Sequence, residues 1–364
     1  MSVALIVKDC NNLFGSGINQ QVIYTCNLLR RLNYNVEIYG SNISTQYLNI
    51  GTNSSNYYID TDLNKIKSEK IKLVICVSDY LDDKLFNSIK DDKHVVYMIC
   101  GNYLCVLHEA YIFNNNKSVP KLLDNKNYHE IWTFGMYKHM IDFLKTVYKT
   151  PVNIVPYVWD NQLLLQNTHN NIFNTKRHNT SKANIIIIEP NLSTHKSSFV
   201  PLLICEQLMS IDSTLINKIF LINGEGINSD IINRFINIRD NVEIYSRINI
   251  YTLMSTLNTL DTQSIFLSHN INNELNFVFF EIIECGWKLV HNSSSLMKHG
   301  FYYDGIYNIS DGVRSLKNCI KSNCNEDIIV DYKTDNEVCM RDMKDIINKI
   351  FMYDKIDENL YRHD

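Results

Sequence analysis

At 364 residues the chain is long for one hydrophobic core, so two domains are expected. Hydrophobic residues make up 45% and charged residues 20%, an ordinary balance for a soluble globular protein. The formal net charge of −4 offers no basic footprint for phosphate neutralisation, which argues against nucleic acid as a partner.

The first apolar run, Val3–Val7, reads as a strand. The opening MSVALIVKDC lacks a basic leader and turns polar at Lys8, so a buried strand is expected there and not a signal peptide. A glycine-containing loop follows. Next comes a helix from about Ile18 to Leu32, with Val22, Cys26 and Leu29 on one face at helical spacing. Strands are expected at Val36–Tyr39, Leu73–Val77, Val95–Ile99, Glu130–Phe134 and Val152–Val155, with a helix near Met136–Tyr148 before the last. From about Asp160 to Lys182 the chain is polar, Asn-rich and aperiodic, which reads as a linker. The pattern restarts with Ala183–Ile188, then Ile219–Ile222, Val242–Tyr245, Ile265–Leu267 and Lys288–His291. Helices near Phe199–Met209, Ile231–Ile238, Tyr251–Leu257 and Phe277–Cys285 separate them, and a tail helix covers about Val338–Phe351.

Two βα series of similar size imply two Rossmann-like, doubly wound α/β domains with an interdomain cleft at the carboxyl ends of their strands. The expected boundaries are 1–158 for the first domain, 159–182 for the linker and 183–335 for the second domain. The tail, 336–364, is expected to pack back across the junction.

Several motifs carry chemistry. Gly15, Ser16 and Gly17 open the first helix, where a backbone without Cβ can approach a phosphate or sugar near the positive helix end. A dinucleotide fingerprint needs a further glycine where Gln20 stands, so a nicotinamide cofactor is not expected. The second domain opens with Glu189-Pro190-Asn191-Leu192-Ser193-Thr194-His195-Lys196. A lysine at the carboxyl end of a first strand can place its ammonium against a departing diphosphate. The richest stretch runs from Ser268 and His269 through Asn273, Glu274 and Glu281 to Gly286, then Lys288–Asn292. It reads as strand, polar loop, helix, glycine, strand. Glu281 lies among Phe279, Phe280, Ile282 and Ile283, where a carboxylate needs a partner to offset desolvation. It could accept hydrogen bonds from ribose hydroxyls.

This stretch resembles the retaining group 1 glycosyltransferases of GT-B fold, whose signature is Glu, seven residues, then Glu-Ala-Met-Ala-x-Gly-x-Pro-Val. Glu281 takes the place of the second Glu, five residues before Gly286. The first Glu falls on Asn273, with Glu274 one residue late. Lys196 resembles the lysine after the Gly-Arg-Leu motif of those enzymes, whose arginine falls on Asn191, leaving Arg247 as another base for the diphosphate. A closer similarity is to a family of uncharacterised bacterial and viral proteins regarded as GT-B glycosyltransferases. It rests on Leu13–Gln20, Cys100-Gly101-Asn102, Trp132, Val155–Trp159, Glu189-Pro190-Asn191, Glu274–Asn292 and Tyr302-Tyr303.

The resemblance implies a glycosyltransferase, expected to act on hexoses. It would take a nucleotide-sugar donor, UDP or GDP among the candidates, and a glycan, protein or small-molecule acceptor. Retention of configuration is expected, with no metal or other cofactor. Donor contacts are expected from Gly15, Ser16, Gly17, Asn191, Lys196, Arg247, Ser268, His269, Asn273 and Glu281, and chemical roles from Asp9, His108 and Glu274. Asp9 ends the first strand, where a base would deprotonate an acceptor hydroxyl. His108 sits in the apolar stretch Tyr103–Phe113, where a satisfied structural histidine competes with a base; Glu109 is its neighbour. His291, Trp159 and Tyr302-Tyr303 are further candidates for lining the cleft. Asp60-Thr61-Asp62 matches the metal-binding triplet of GT-A transferases, and two complete Rossmann series argue that the match is accidental. A nucleotide-sugar 2-epimerase and a non-catalytic nucleotide-sugar-binding protein are the alternatives.

The ten cysteines contain no Cys-x-x-Cys pair, and Cys26, Cys76, Cys205 and Cys285 lie in apolar segments, so reduced core thiols and a cytoplasmic location are expected. No apolar run reaches bilayer length. Heavy use of Asn, Ile, Lys and Tyr points to an AT-rich genome, that of a large DNA virus (with the host cytoplasm as location) or of certain bacteria.

Overall fold

The computed structural model describes residues 2–7, 13, 17–40, 58–79, 81–113, 128–167, 182–274, 276–322 and 332–360. The chain divides into two compact units, Met1–Asp160 with Asp331–Asp364, and Asn161–Val330.

The first unit is built on seven parallel strands: β1 (Ser2–Val7), β2 (Asn35–Gly40), β3 (Tyr58–Asp60), β4 (Ile71–Val77), β5 (His94–Ile99), β6 (Glu130–Phe134) and β7 (Val152–Val155), in the order β3-β2-β1-β4-β5-β6-β7. Every residue of β1 is buried, the consequence of a central parallel strand covered on both faces. Its helices are α1 (Gly17–Arg31), α2 (Asp83–Ile89), α3 (Tyr103–Phe113) and α4 (Ile141–Tyr148). Arg30 and Arg31 lie in the last turn of α1, where cations complement the helix dipole. The helix stops because Asn33 adopts φ 66° and the Tyr34 N–H returns 3.1 Å to the Leu29 carbonyl, a Schellman closure. Asn102 accepts from the Cys105 N–H at 3.1 Å and so caps the start of α3.

The second unit repeats the scheme with α5 (Gln162–Asn167), β8 (Ala183–Ile187), α6 (Phe199–Ile211), β9 (Ile216–Ile222), α7 (Ser229–Ile232), β10 (Val242–Tyr245), α8 (Ile250–Leu257), β11 (Gln263–Leu267), α9 (Phe277–Glu284), β12 (Lys288–His291), β13 (Phe301–Tyr302) and α10 (Ile309–Lys321). Its six strands are parallel in the order β10-β9-β8-β11-β12-β13. Ala183, Ile185 and Ile187 of β8 face Ile204, Cys205 and Leu208 of α6 and Leu316 of α10 in one buried cluster. A long helix, α11 (Tyr332–Leu360), belongs to the first unit, where it meets β7; its Met343, Ile347 and Ile350 are buried at helical spacing.

Eleven of the strands lie where the apolar runs place them. The two that sequence reading misses, β3 and β13, are edge strands of three and two residues whose pairing depends on a neighbour and not on their own pattern. The expected helix Ile231–Ile238 shrinks to α7, because Glu206 of α6 captures the backbone N–H groups of Ile236, Asn237 and Ile238 and holds that segment as a loop. The expected linker contains helix α5, whose Leu163 and Leu164 are buried; 168–181 lie outside the described residues. Helices α2, α3 and α10 are also additions to the sequence reading. No described helix is long and apolar enough to cross a membrane.

The crossover between β12 and β13 depends on Gly300. It holds φ 64°, and a Cβ there would lie 2.6 Å from the Leu289 carbonyl oxygen. Gly300→Ala is therefore expected to destabilise the second unit by about 2 kcal/mol, read as a lowered midpoint in thermal unfolding. An unchanged midpoint would contradict the strain assigned to this turn.

Candidate donor site in the second unit

In the second unit the strand order reverses between β8 and β11. The chain leaves these two neighbours toward opposite sides, which opens a crevice at their carboxyl ends. Glu189 stands two residues beyond β8 and Ser268 directly beyond β11. The Glu189 side chain is 2% exposed, and its Oε1 accepts both the Ser268 hydroxyl and the His269 N–H, the latter at 3.2 Å. One buried carboxylate thus ties the two strands that flank the crevice. Burial raises its pKa to about 7 against the opposing pull of the Ser268 hydrogen bond, Lys196 and the His269 N–H.

The loop from Glu189 to Ser198 is shaped from within. Asn191 takes the left-handed conformation at φ 53°. Its amide donates to the Glu189 carbonyl at 2.8 Å and the Asn223 carbonyl at 3.2 Å, while its Oδ1 accepts from the Ser198 N–H and hydroxyl, both at 2.8 Å. Both amide hydrogens and both acceptor directions are engaged, so the side chain of this residue, expected among the donor contacts, holds the loop. Lys196 closes the turn through its backbone, donating to the Ser193 carbonyl at 3.2 Å and accepting from the Asn191 N–H at 3.2 Å. Its half-buried ammonium makes no ion pair or hydrogen bond among the described residues. Burial lowers its pKa, and Glu189 partly restores it. The His195 carbonyl receives the Ile271 N–H at 3.0 Å, which joins this loop to the one after β11.

That second loop is an asparagine lattice. The Asn270 N–H donates to Asn292 Oδ1 at 2.9 Å, and the Asn292 amide returns to the Asn270 carbonyl at 2.8 Å. Asn273, buried, donates to Asn270 Oδ1 at 3.3 Å. His269 is buried; its Nδ1 lies 2.8 Å from the Tyr303 hydroxyl and the two rings stack. The pKa of His269 falls to about 4, driven by burial and partly offset by the Ile306 backbone. His291, fully buried, lies 2.7 Å from the His299 carbonyl through Nε2 and accepts the Ser293 N–H at Nδ1, which assigns the proton to Nε2. Burial lowers its pKa to about 4 as well, so both imidazoles are neutral at pH 7.

Glu281, 3% exposed on α9, accepts the Tyr251 hydroxyl at 3.0 Å; Tyr251, on α8, is the partner that its apolar surroundings require. Glu274, half-buried, accepts from the Ser295 hydroxyl at 2.7 Å. Gly286 at φ 73° ends α9, with the Trp287 N–H returning 3.0 Å to the Ile282 carbonyl.

The structure therefore gathers Lys196, Ser268, His269 and Asn273 around the ends of β8 and β11, with Glu274 and Glu281 on the following loop and helix. Arg247 is exposed beyond β10. Asp9, Gly15 and Ser16 lie outside the described residues, and Gly17 is exposed at the start of α1. His108 is exposed on α3, a helix of which only Ala110 is buried, so it is not a packed structural histidine. Trp159 and Tyr303, expected to line a cleft, are buried, and the Tyr303 hydroxyl meets His269. Asp60 is engaged by Lys65, Tyr58 and the Asp62 N–H, and Asp62 caps the following turn, so the Asp-x-Asp triplet serves local structure. Among the described residues no group of three or more His, Cys, Asp or Glu side chains is placed to hold a metal ion. Sequence reasoning passed over Glu189 and Tyr251. The available signal for Glu189 is an acidic residue directly after four consecutive isoleucines, Ile185–Ile188, followed at once by proline.

The model of a single family matches residues 1–354, almost the whole chain. The chain belongs to the DUF2827 family, described as proteins of unknown function. No curated relative is detected from the sequence. Solved structures resemble this DUF2827 protein at the level of fold. A sucrose-phosphate synthase from Thermosynechococcus elongatus aligns over 97% of this chain and 99% of its own, with TM-score 0.53 and 10% identity. The pneumococcal O-GlcNAc transferase GtfA, solved with UDP and GlcNAc, aligns over 100% and 99%, with TM-score 0.51 and 8% identity. WaaG, a glycosyltransferase involved in lipopolysaccharide biosynthesis, aligns over 89% and 92%, with TM-score 0.50 and 10% identity. With its two parallel-sheet α/β domains, the DUF2827 chain has the GT-B fold.

The raised pKa of Glu189 has a consequence for stability. Between its ordinary value of 4.5 and about 7, the folded protein holds a proton that the unfolded chain releases. Glu189 therefore costs nothing below that window, a growing amount across it, and a constant amount above it. Because both of its hydrogen bonds land on one oxygen, glutamine can accept them too. Glu189→Gln is expected to gain in unfolding midpoint over the wild type as pH rises from 5 to 7.5. A gap that stays flat over that range would refute the assignment.

Proposed function

We propose that this protein is a glycosyltransferase whose second unit binds a nucleotide-sugar donor at the crevice between β8 and β11. The observation that carries the reading is an ammonium, Lys196, at the strand-order reversal of a GT-B fold, with no ion pair among the described residues and polar loops on both sides. Lys196 would meet the diphosphate and stabilise the negative charge that grows on it as the sugar departs. Backbone N–H groups of the loop after β11 and the start of α9 would complete the anion site. Glu281, oriented by Tyr251, would accept hydrogen bonds from the ribose hydroxyls, and Glu274 would contact the sugar.

In this reading the sugar is a hexose, the nucleotide is UDP or GDP, and no metal is required because Lys196 and the helix end supply the positive potential. Configuration is retained, by the similarity at Glu281. The first unit, with Asp9 and His108, would receive a glycan, protein or small-molecule acceptor. A cytoplasmic location accords with cysteines that form no disulfide among the described residues.

A thermal-shift panel of UDP, GDP, TDP and their sugars tests the donor half. At least one nucleotide and its sugar should raise the midpoint in proportion to affinity and concentration. Lys196→Ala should weaken that ligand by about 2 kcal/mol, roughly thirtyfold, as expected for a lost charge-assisted contact. Glu281→Ala should remove the shift while the fold persists. No shift with any member of the panel would remove the reading; a shift without sugar transfer to any acceptor would make the protein a binding module.

A further inference from the structure

Glu189 and Lys196 occupy one short loop, and each acts on the charge of the other. Once ionised, Glu189 is the negative charge that opposes the ammonium in the ligand-free protein. An incoming diphosphate brings two more negative charges to the same place. A buried carboxylate cannot turn away, because Oε1 is fixed by Ser268 and His269 and its surroundings exclude solvent. Two like charges competing for one cation in a poorly solvated site cannot both persist.

We propose that Glu189 couples donor binding to proton uptake: as the diphosphate of a nucleotide sugar settles against Lys196, the Glu189 carboxylate takes a proton from solvent, and the charge of Lys196 passes to the phosphates. The inference rests on the donor-site reading given above and makes Glu189 a positioning residue, acting through Lys196 and through the loop that it holds. A protonated Glu189 keeps its geometric role, since Oε1 can accept the same two hydrogen bonds while Oε2 carries the proton. The balance is one proton from bulk water per donor bound, with no other bond made or broken.

The surrounding titratable groups narrow the source of any pH dependence. His269 at the end of β11 and His291 at the end of β12 are held neutral near pH 7 by burial. Tyr303, beyond β13, stays protonated, with Glu189 itself among the causes. On the α9 side Glu281 is bonded to Tyr251 and Glu274 to Ser295. Cys205 on α6 is pushed up by burial. His195, on the Lys196 loop and 2.6 Å from the Ser193 hydroxyl, is the group whose protonation would imitate that of Glu189, because either change favours an anion.

The test is calorimetric titration with UDP-glucose, GDP-mannose and TDP-glucose between pH 6 and 8.5, in buffers of different ionisation enthalpy. Both phosphates of these probes are esterified, so the ligands themselves do not titrate in this range. For the wild type, affinity for the probe that binds should be level below about pH 6.5 and fall by up to about tenfold per unit above 7, with up to one proton taken up per ligand. Glu189→Gln should bind with little pH dependence and no proton uptake, and His195→Asn should keep the wild-type behaviour. Flat wild-type affinity without uptake would overturn the coupling and leave the donor site standing. Uptake retained in Glu189→Gln and lost in His195→Asn would transfer the role to His195 and equally overturn it. If Glu189→Gln fails to fold, His195→Asn decides: persistent uptake supports Glu189, and its loss refutes it. Absence of binding for all three probes at every pH would sink the donor-site reading and the coupling with it.

Discussion

A single desolvated carboxylate organises the second unit. Parallel strands that diverge at a reversal of strand order leave unpaired backbone and side-chain groups at their carboxyl ends. Glu189 gathers the nearest of them, the Ser268 hydroxyl and the His269 N–H, across the gap between β8 and β11. The same burial that makes these bonds strong makes the charge costly, and Lys196 meets part of that cost. Rigidity and electrostatics at the crevice are therefore one arrangement. A change to Glu189 would be felt both in the shape of the loop and in the charge presented by Lys196.

Around that core, asparagine does what other folds assign to glycine and serine. The chain has only twelve glycines. Among the described residues, Asn33, Asn191, Asn223 and Asn272 are four of the six non-glycine positions with positive φ. Asparagine tolerates this conformation because its short amide can bond locally. Asn249, Asn276 and Asn308 cap α8, α9 and α10 through their side chains. The mutual bonds of Asn270 and Asn292 lock the loops after β11 and β12 without placing a charge there. An Asn-rich composition, which by itself reads as loop and linker, is converted here into capped helices and fixed turns.

The polar groups near the crevice also depart from the retaining group 1 signature. Asn273 stands at the first glutamate position, and it is buried and bonded to Asn270. Asn191 stands at the arginine position and is consumed by its own loop. A GT-B scaffold thus carries one cation, Lys196, on a loop where the signature carries two, and Glu189 stands beside it. The two neutral histidines, His269 and His291, contribute packing and hydrogen bonds to this edge and no charge at pH 7.

Uninterrupted apolar runs determine the fold class by themselves. Val3–Val7, Leu73–Val77 and Ile185–Ile188 are too short for helices and too apolar for one-sided sheets, so a parallel sheet covered on both faces is the arrangement left to them. The Glu281 to Gly286 spacing likewise places a carboxylate within a helix that ends at glycine, and α9 does so. Tertiary structure decided the rest. Strands β3 and β13 exist only because β2 and β12 offer an edge. The segment 233–238 is not helical because Glu206, about thirty residues earlier, takes its N–H groups. Above all, Glu189 and Ser268 are 79 residues apart, and no local pattern announces that they meet. Periodicity reports which face of an element is dry. Which polar groups then share the one gap between two diverging strands is settled only when the sheet is assembled.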